Sequence, residues 1–146
     1  MKISTRYSDA IHILAYLNIY QETKLSSGNI AASVMTSPVV VRRIMAALQK
    51  AGIITTVQGS PKPRLARKPA EINLLDVYYA VEGDKQLFTV DKKTNPQCIV
   101  GGNIQKVLGS YYQEVQNAAL GRLTRITLDD LISDILVAQE KKEKQQ

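Results

Sequence analysis

Apolar positions along the chain fall first into helical spacing and then into strand spacing. Ala10, Ile13, Leu14 and Leu17 recur at i, i+3, i+4 and i+7, the signature of one helical face. This predicts a first helix that begins at Thr5 or Ser8 and runs to about Tyr20. The polar stretch from Gln21 to Lys24 interrupts it. Ser26 or Ser27 opens a short second helix whose inward positions are Ile30, Ala31 and Val34. Ser37-Pro38 pairs a serine N-cap with a proline at the first helical position and so starts a third helix. Val41, Ile44, Met45 and Leu48 form its inner face, and Gly52 ends it. The period then changes. Ile53-Ile54-Thr55-Thr56-Val57 is β-branched throughout and predicts a strand. Gln58 to Pro63 reads as a turn-rich loop, and Arg64 to Arg67 as the returning strand, ended by Pro69. Short helices followed by a basic-tipped hairpin describe a winged helix-turn-helix.

The pattern continues into a second, helical part. Asn73 caps a fourth helix through Leu74, Val77, Tyr78 and Val81, closed by Gly83. Residues 84–97 are polar and predict a connection with a little strand at Leu87-Phe88-Thr89-Val90. From Gly102 a long stripe holds helical register: Ile104, Val107, Leu108, Tyr111, Val115, Ala118 and Ala119. Thr127-Leu128-Asp129-Asp130 has the form of a capping box and opens a last helix through Leu131, Ile132 and Ile135. The long stripe has a single helix after it to pack against. Its better use is a two-fold dimer interface. The expected fold is mainly α with a small β-hairpin wing: a winged helix-turn-helix plus a long dimerisation helix. The expected division is a DNA-binding domain over 1–83, a connection over 84–100, dimerisation helices over 101–140 and a flexible tail over 141–146.

Charge sharpens this picture. The 146-residue chain carries a net charge of +6. Residues 1–70 hold ten Lys and Arg against two Asp and Glu, whereas residues 71–146 hold nine against eleven. A basic half joined to a weakly acidic one suggests a polyanion-binding module attached to something else. With 45% hydrophobic and 22% charged residues, the chain can bury a core without disulfide staples. Arg6 and Asp9 interrupt any secretory apolar segment, and no stretch approaches the roughly 20 apolar residues of a spanning helix. The cytoplasm is the expected compartment, and no membrane partner is expected. Cys98 is the only cysteine, so an intrachain disulfide, a multi-cysteine zinc site and an all-cysteine iron–sulfur site cannot be built from one chain. No cofactor, metal site or catalytic residue is expected.

Candidate DNA contacts follow from the motif. Arg42 and Arg43 fall on the outward side of the third helix, behind Ser37 and Val39 at its start. A helix-turn-helix places that end in the major groove, where arginine donates to guanine O6 and N7 or holds a phosphate. A lone arginine pair is ordinarily a solvated face; its coincidence with this helix favours DNA. Lys62, Arg64 and Arg67 cluster at the wing with Lys68, for which a solubilising role is equally good. Ser26, Ser27 and Asn29 offer amides and hydroxyls to a phosphate, compatible with ordinary capping. Lys2, Ser4, Thr5 and Arg6 add backbone contacts where the first helix begins. His12, the only histidine, reads as a structural or surface residue, since no nucleophile or cleft accompanies it. No nucleotide-binding glycine motif and no H-E-x-x-H are present.

Specific strings then carry a resemblance. Val41-Arg42-Arg43-Ile44, Leu48-Gln49-Lys50-Ala51-Gly52-Ile53-Ile54 and Ile72-Asn73-Leu74-Leu75-Asp76-Val77, in this order, resemble the Rrf-two family of bacterial transcription regulators. The opening Met1-Lys2-Ile3-Ser4-Thr5-Arg6-Tyr7 also fits. The likeness, to the IscR, NsrR and CymR type and most of all to cluster-free YwnA-like members, covers essentially the whole chain. It implies a homodimeric, sequence-specific DNA-binding repressor acting on a palindromic operator. Two departures stand out. Only Cys98 matches the three cysteines of cluster-binding members, so cluster binding is not carried over. Pro61-Lys62 stands where the family wing carries a glycine pair. Cys98 keeps two readings, a small packing residue or a thiol redox switch near the start of the long helix. A regulatory module that binds a metabolic enzyme or small-molecule effector is the alternative function.

Overall fold

The computed structural model describes residues 4–57 and 60–146. Helix α1 (Arg6–Ile19) is followed by α2 (Ser27–Val34) and α3 (Pro38–Lys50). The strands β1 (Ile54–Val57) and β2 (Ser60–Leu65) come next, then a single 3₁₀ turn over Pro69–Glu71. Helices α4 (Leu74–Glu82), α5 (Ile104–Leu123) and α6 (Leu128–Lys144) complete the chain.

Local chemistry accounts for most of the boundaries. Ser26 Oγ accepts from the Asn29 amide at 3.1 Å, and Ser37 Oγ accepts from the Val40 amide at 3.2 Å. Each satisfies one of the amides that a helix start leaves unpaired. Pro38, without an amide, occupies the first turn of α3 at no cost. Gly52 follows α3 at φ 75°, and its amide donates to the Gln49 carbonyl at 3.0 Å. Met35 closes α2 at φ 63°, an unusual left-handed cap for a residue with a side chain. Thr5 is the N-cap of α1, although its side chain makes no capping hydrogen bond.

The core gathers one face from each helix of the first part. Ile13, Leu14 and Leu17 of α1, Ile30 of α2, Ile44 and Leu48 of α3, Ile53 and Val77 are all fully buried. Tyr7 seals its edge: it packs on Tyr78 with ring centroids 5.4 Å apart, and its hydroxyl donates to the Leu74 carbonyl. Burial first, and the neighbouring Tyr78 second, push the Tyr7 phenol up to about 12, so it stays a donor throughout the neutral range.

The hairpin pairs Ile54 with Leu65, Thr55 with Arg64 and Thr56 with Pro63, and its register shifts between Thr56 and Val57. The returning strand therefore begins earlier than the turn residues suggest. A two-stranded ribbon tolerates Pro63, because each strand has a free edge. Residues 84–97 contain no strand; they are tied to α5 instead. The Leu87 amide donates to Gln116 Oε1 at 2.8 Å, and Phe88 packs on Tyr112 at 5.3 Å.

Two distant segments of the chain meet at a backbone clamp. The Leu74 amide donates to the Ile126 carbonyl at 2.9 Å, and the Leu128 amide donates to the Ile72 carbonyl at 2.8 Å. Asn73 and Thr127, which face each other in this bridge, each head a complete capping box, with Asp76 and Asp130 as the reciprocal acids. Helices α4 and α6 thus start side by side. Behind the clamp, Leu128 and Ile132 sit in the same core as α1 and α3. The charged run from Glu140 to Lys144 continues α6.

Leu128 is fully buried beyond the long helix, so Leu128→Ala leaves a cavity in the core of the first part. Destabilisation of about 2–5 kcal/mol is expected by denaturant titration. A destabilisation under about 1 kcal/mol would mean that the start of α6 is not integral to that core.

Candidate nucleic-acid interface

Helix α3 turns opposite faces to the core and to solvent. Val41, Ile44 and Leu48 are buried, whereas Val39, Arg42, Arg43 and Ala46 recur at i, i+3, i+4 and i+7 on the exposed side. The turn Met35-Thr36-Ser37 joins α2 to α3 with a bend of 103°. Arg42 and Arg43 make no ion pair among the described residues. Gln49 Nε2 donates to Thr56 Oγ1 at 3.4 Å and ties the far end of α3 to the wing.

The remaining candidates divide into three groups. Lys62 of β2 shares a cleft of about 480 Å³ with Lys24, Ser26 and Ser27 at the start of α2. Two ammonium groups and the helix start at one opening suit a phosphate. Asn29 supports this corner through Nδ2, which donates to the Lys24 carbonyl at 3.1 Å. Arg64 is exposed on β2. Arg67 is already engaged: Nη1 donates to the Glu71 carbonyl at 3.3 Å and pairs with Asp76 Oδ2 at 3.5 Å. It braces the capping box of α4. At the start of α1, Ser4 Oγ accepts from the Arg6 amide at 3.0 Å, Thr5 is exposed, and the buried Arg6 Nε has no partner among the described residues. Lys2 lies outside the described residues. His12 is exposed and hydrogen-bonds Ser33 Oγ at 2.8 Å, joining α1 to α2.

Sequence reasoning missed Lys24 and Met35. Lys24 had a signal, since a lysine two residues before a serine cap stands beside the helix start. Met35 had none, because its 91% exposure follows from a left-handed cap that its residue type does not announce.

The candidate dimer residues lie on a helix that buries no residue at all. Val107, Tyr111 and Val115 are 52%, 61% and 49% exposed, and Ala118 is exposed. Ile104, Leu108 and Ala119 are half-buried. Cys98 precedes α5 in a tight loop where the Cys98 amide donates to the Asn95 carbonyl and the Gly102 amide to the Cys98 carbonyl. A Cβ on Gly101 would come within 2.2 Å of the Asn95 carbonyl oxygen, so only glycine fits there. Cys98 is exposed, and the backbone amides of Gly101 and then Val100 hold its thiol below the ordinary range.

A helix pair bent at a short turn, beside a hairpin and with a bare basic face, defines a winged helix-turn-helix DNA-binding protein. The chain belongs to the Rrf2 family, described as iron-dependent transcriptional regulators, whose profile it matches over residues 3–134. It is 41% identical over 133 residues to YwnA of Bacillus subtilis (strain 168), assigned as an HTH-type transcriptional regulator; the match covers 91% of this chain and 98% of that one. It is 30% identical to the HTH-type transcriptional regulator NsrR of Shouchella clausii (strain KSM-K16), covering 87% and 91% of the two chains. A crystal structure of an assigned DNA-binding protein superposes with a TM-score of 0.70 at 42% identity, covering 87% of this chain and 98% of that one. The protein is thus a helix-turn-helix transcriptional regulator that binds DNA, in a family of regulators rather than enzymes. No single helix among the described residues is long and apolar enough to cross a membrane.

The family description includes iron, and the donors of this chain do not fit an iron–sulfur cluster. Cys98 is the sole thiol, and no group of three or more His, Cys, Asp or Glu converges among the described residues.

Arg42→Ala and Arg43→Ala are each expected to weaken binding to a selected duplex by about 1–3 kcal/mol where the contact is bidentate to guanine. Where the arginine instead neutralises a phosphate, its removal makes the slope of log K against log salt shallower by about 0.9. Gel-shift titrations at several salt concentrations distinguish these cases. Unchanged affinity and slope in both variants would remove α3 from the interface.

Proposed function

We propose that the protein is a homodimeric, sequence-specific repressor in the cytoplasm, with α5 pairing the protomers and α3 reading each half of a palindromic operator. The observation that carries this reading is the state of α5. None of the twenty residues of this helix is fully buried, and Val107, Tyr111 and Val115 lie exposed one turn apart on one face. A helix with such a stripe is stable when the stripe is covered, and an isologous interface covers both copies at once. A two-fold dimer also presents two copies of α3, as operators with half-sites about one helical turn apart require.

Val115→Glu buries an unpaired carboxylate in such an interface and leaves the first part of the chain untouched. Light scattering is expected to give a monomer, and operator affinity to fall with it. A fully dimeric Val115→Glu protein that still binds operator would place the interface elsewhere.

Cys98 supports a redox-responsive reading, since it is exposed and its thiol is held low by amide donors. A thiolate attacks peroxide, forming an S–O bond, breaking the O–O bond and releasing hydroxide, with a sulfenic acid as product. Lying between the DNA-binding part and α5, such a change alters how the two readers are spaced. Peroxide treatment is expected to release operator from wild type and to leave Cys98→Ser bound. Equal release, or none from either, rejects Cys98 as the switch.

A further inference from the structure

The exposed face of α3 is not uniformly basic. It begins with an apolar side chain, Val39, which is 54% exposed one turn before Arg42 and Arg43. Met35, in the turn that leads into the helix, is 91% exposed. Single exposed apolar residues are common and need no account. Val39 differs in its position. It shares a helical face with two arginines that make no ion pair among the described residues, at the end of the helix that follows the 103° turn. Of the edge groups in the major groove, the thymine C5-methyl is the one that rewards an apolar partner.

We propose that Val39 is a specificity residue that reads the methyl group of a thymine in each operator half-site. This rests on the assignment of α3 as the reading helix. The spacing adds a second constraint. Arg42 and Arg43 lie about 4.5–6 Å further along the helix axis at 1.5 Å per residue. Base pairs stack about 3.4 Å apart. The thymine therefore stands near the guanine or phosphate that the arginines hold. Val39 has no hydrogen-bonding group, so it discriminates the methyl and nothing else on that base edge.

The test uses duplexes selected from a random-sequence pool by the purified protein, with each thymine replaced in turn by deoxyuridine, which lacks only the methyl. One such position per half-site is expected to weaken the wild-type protein about fourfold, the effect of uncovering one apolar carbon. Val39→Ser, a change at an exposed position, is expected to bind the thymine and uracil duplexes equally, with the affinity of wild type for a duplex carrying the uracil in both half-sites. Enrichment of a sequence by a wild-type protein indifferent to every replacement would overturn the thymine contact while leaving α3 as the reader. Retention of the wild-type discrimination by Val39→Ser would likewise overturn it. Failure to enrich any sequence would overturn the sequence-reading function and this inference together.

Discussion

The backbone clamp between Ile72–Leu74 and Ile126–Leu128 governs what every other part of the molecule can do. Two amide–carbonyl bonds, with Leu128 and Ile132 locked into the core behind them, fasten the start of α6 to the DNA-binding part. The twin capping boxes make this a rigid junction, because both helix starts have their first amides satisfied locally. The chain between Glu82 and Leu128 must therefore leave the body and return to it. Helix α5 lies on that excursion. There Ile104, Leu108 and Ala119 are half-buried, whereas Val107, Tyr111 and Val115 stay exposed.

The opposite end of the molecule is organised by a division of labour within single helices. In α3 the core face holds the helix in place, so the exposed face is free to carry Arg42 and Arg43, which make no ion pair among the described residues. Charge in the basic half is not all of one kind. Arg67 is engaged by Asp76 and the Glu71 carbonyl, where it stiffens the start of α4 next to the clamp. Lys62 instead turns toward Lys24 and the start of α2. Of these two cations, one serves the fold and the other lines a cleft. The surrounding carboxylates decide which.

The loop that carries Cys98 links these two ends. Its amides point inward on a turn so tight that Gly101 has no room for a side chain. The same convergence of amides gathers partial positive charge around an exposed sulfur. A short connection with few packed side chains is the part of the molecule that moves at least cost, and it lies between α4 and α5.

The order of residues alone settles the six helices and where each of them starts. Serine, asparagine and threonine caps, Pro38, Gly52 and Gly83 act through neighbours within four residues, so their consequences are local and legible. Periodicity marks which positions of α1, α3 and α5 are apolar, for the same reason. It does not reveal that Leu128 and Ile132 join the first core while Val107, Tyr111 and Val115 stay exposed, since both stripes have helical spacing. Nor does it separate Arg67 from Lys62, or show Lys24 beside Lys62 and Met35 bare in a left-handed cap. Those outcomes depend on which distant segments meet. The meeting of Ile72–Leu74 with Ile126–Leu128, more than fifty residues apart in sequence, is a property of the folded chain.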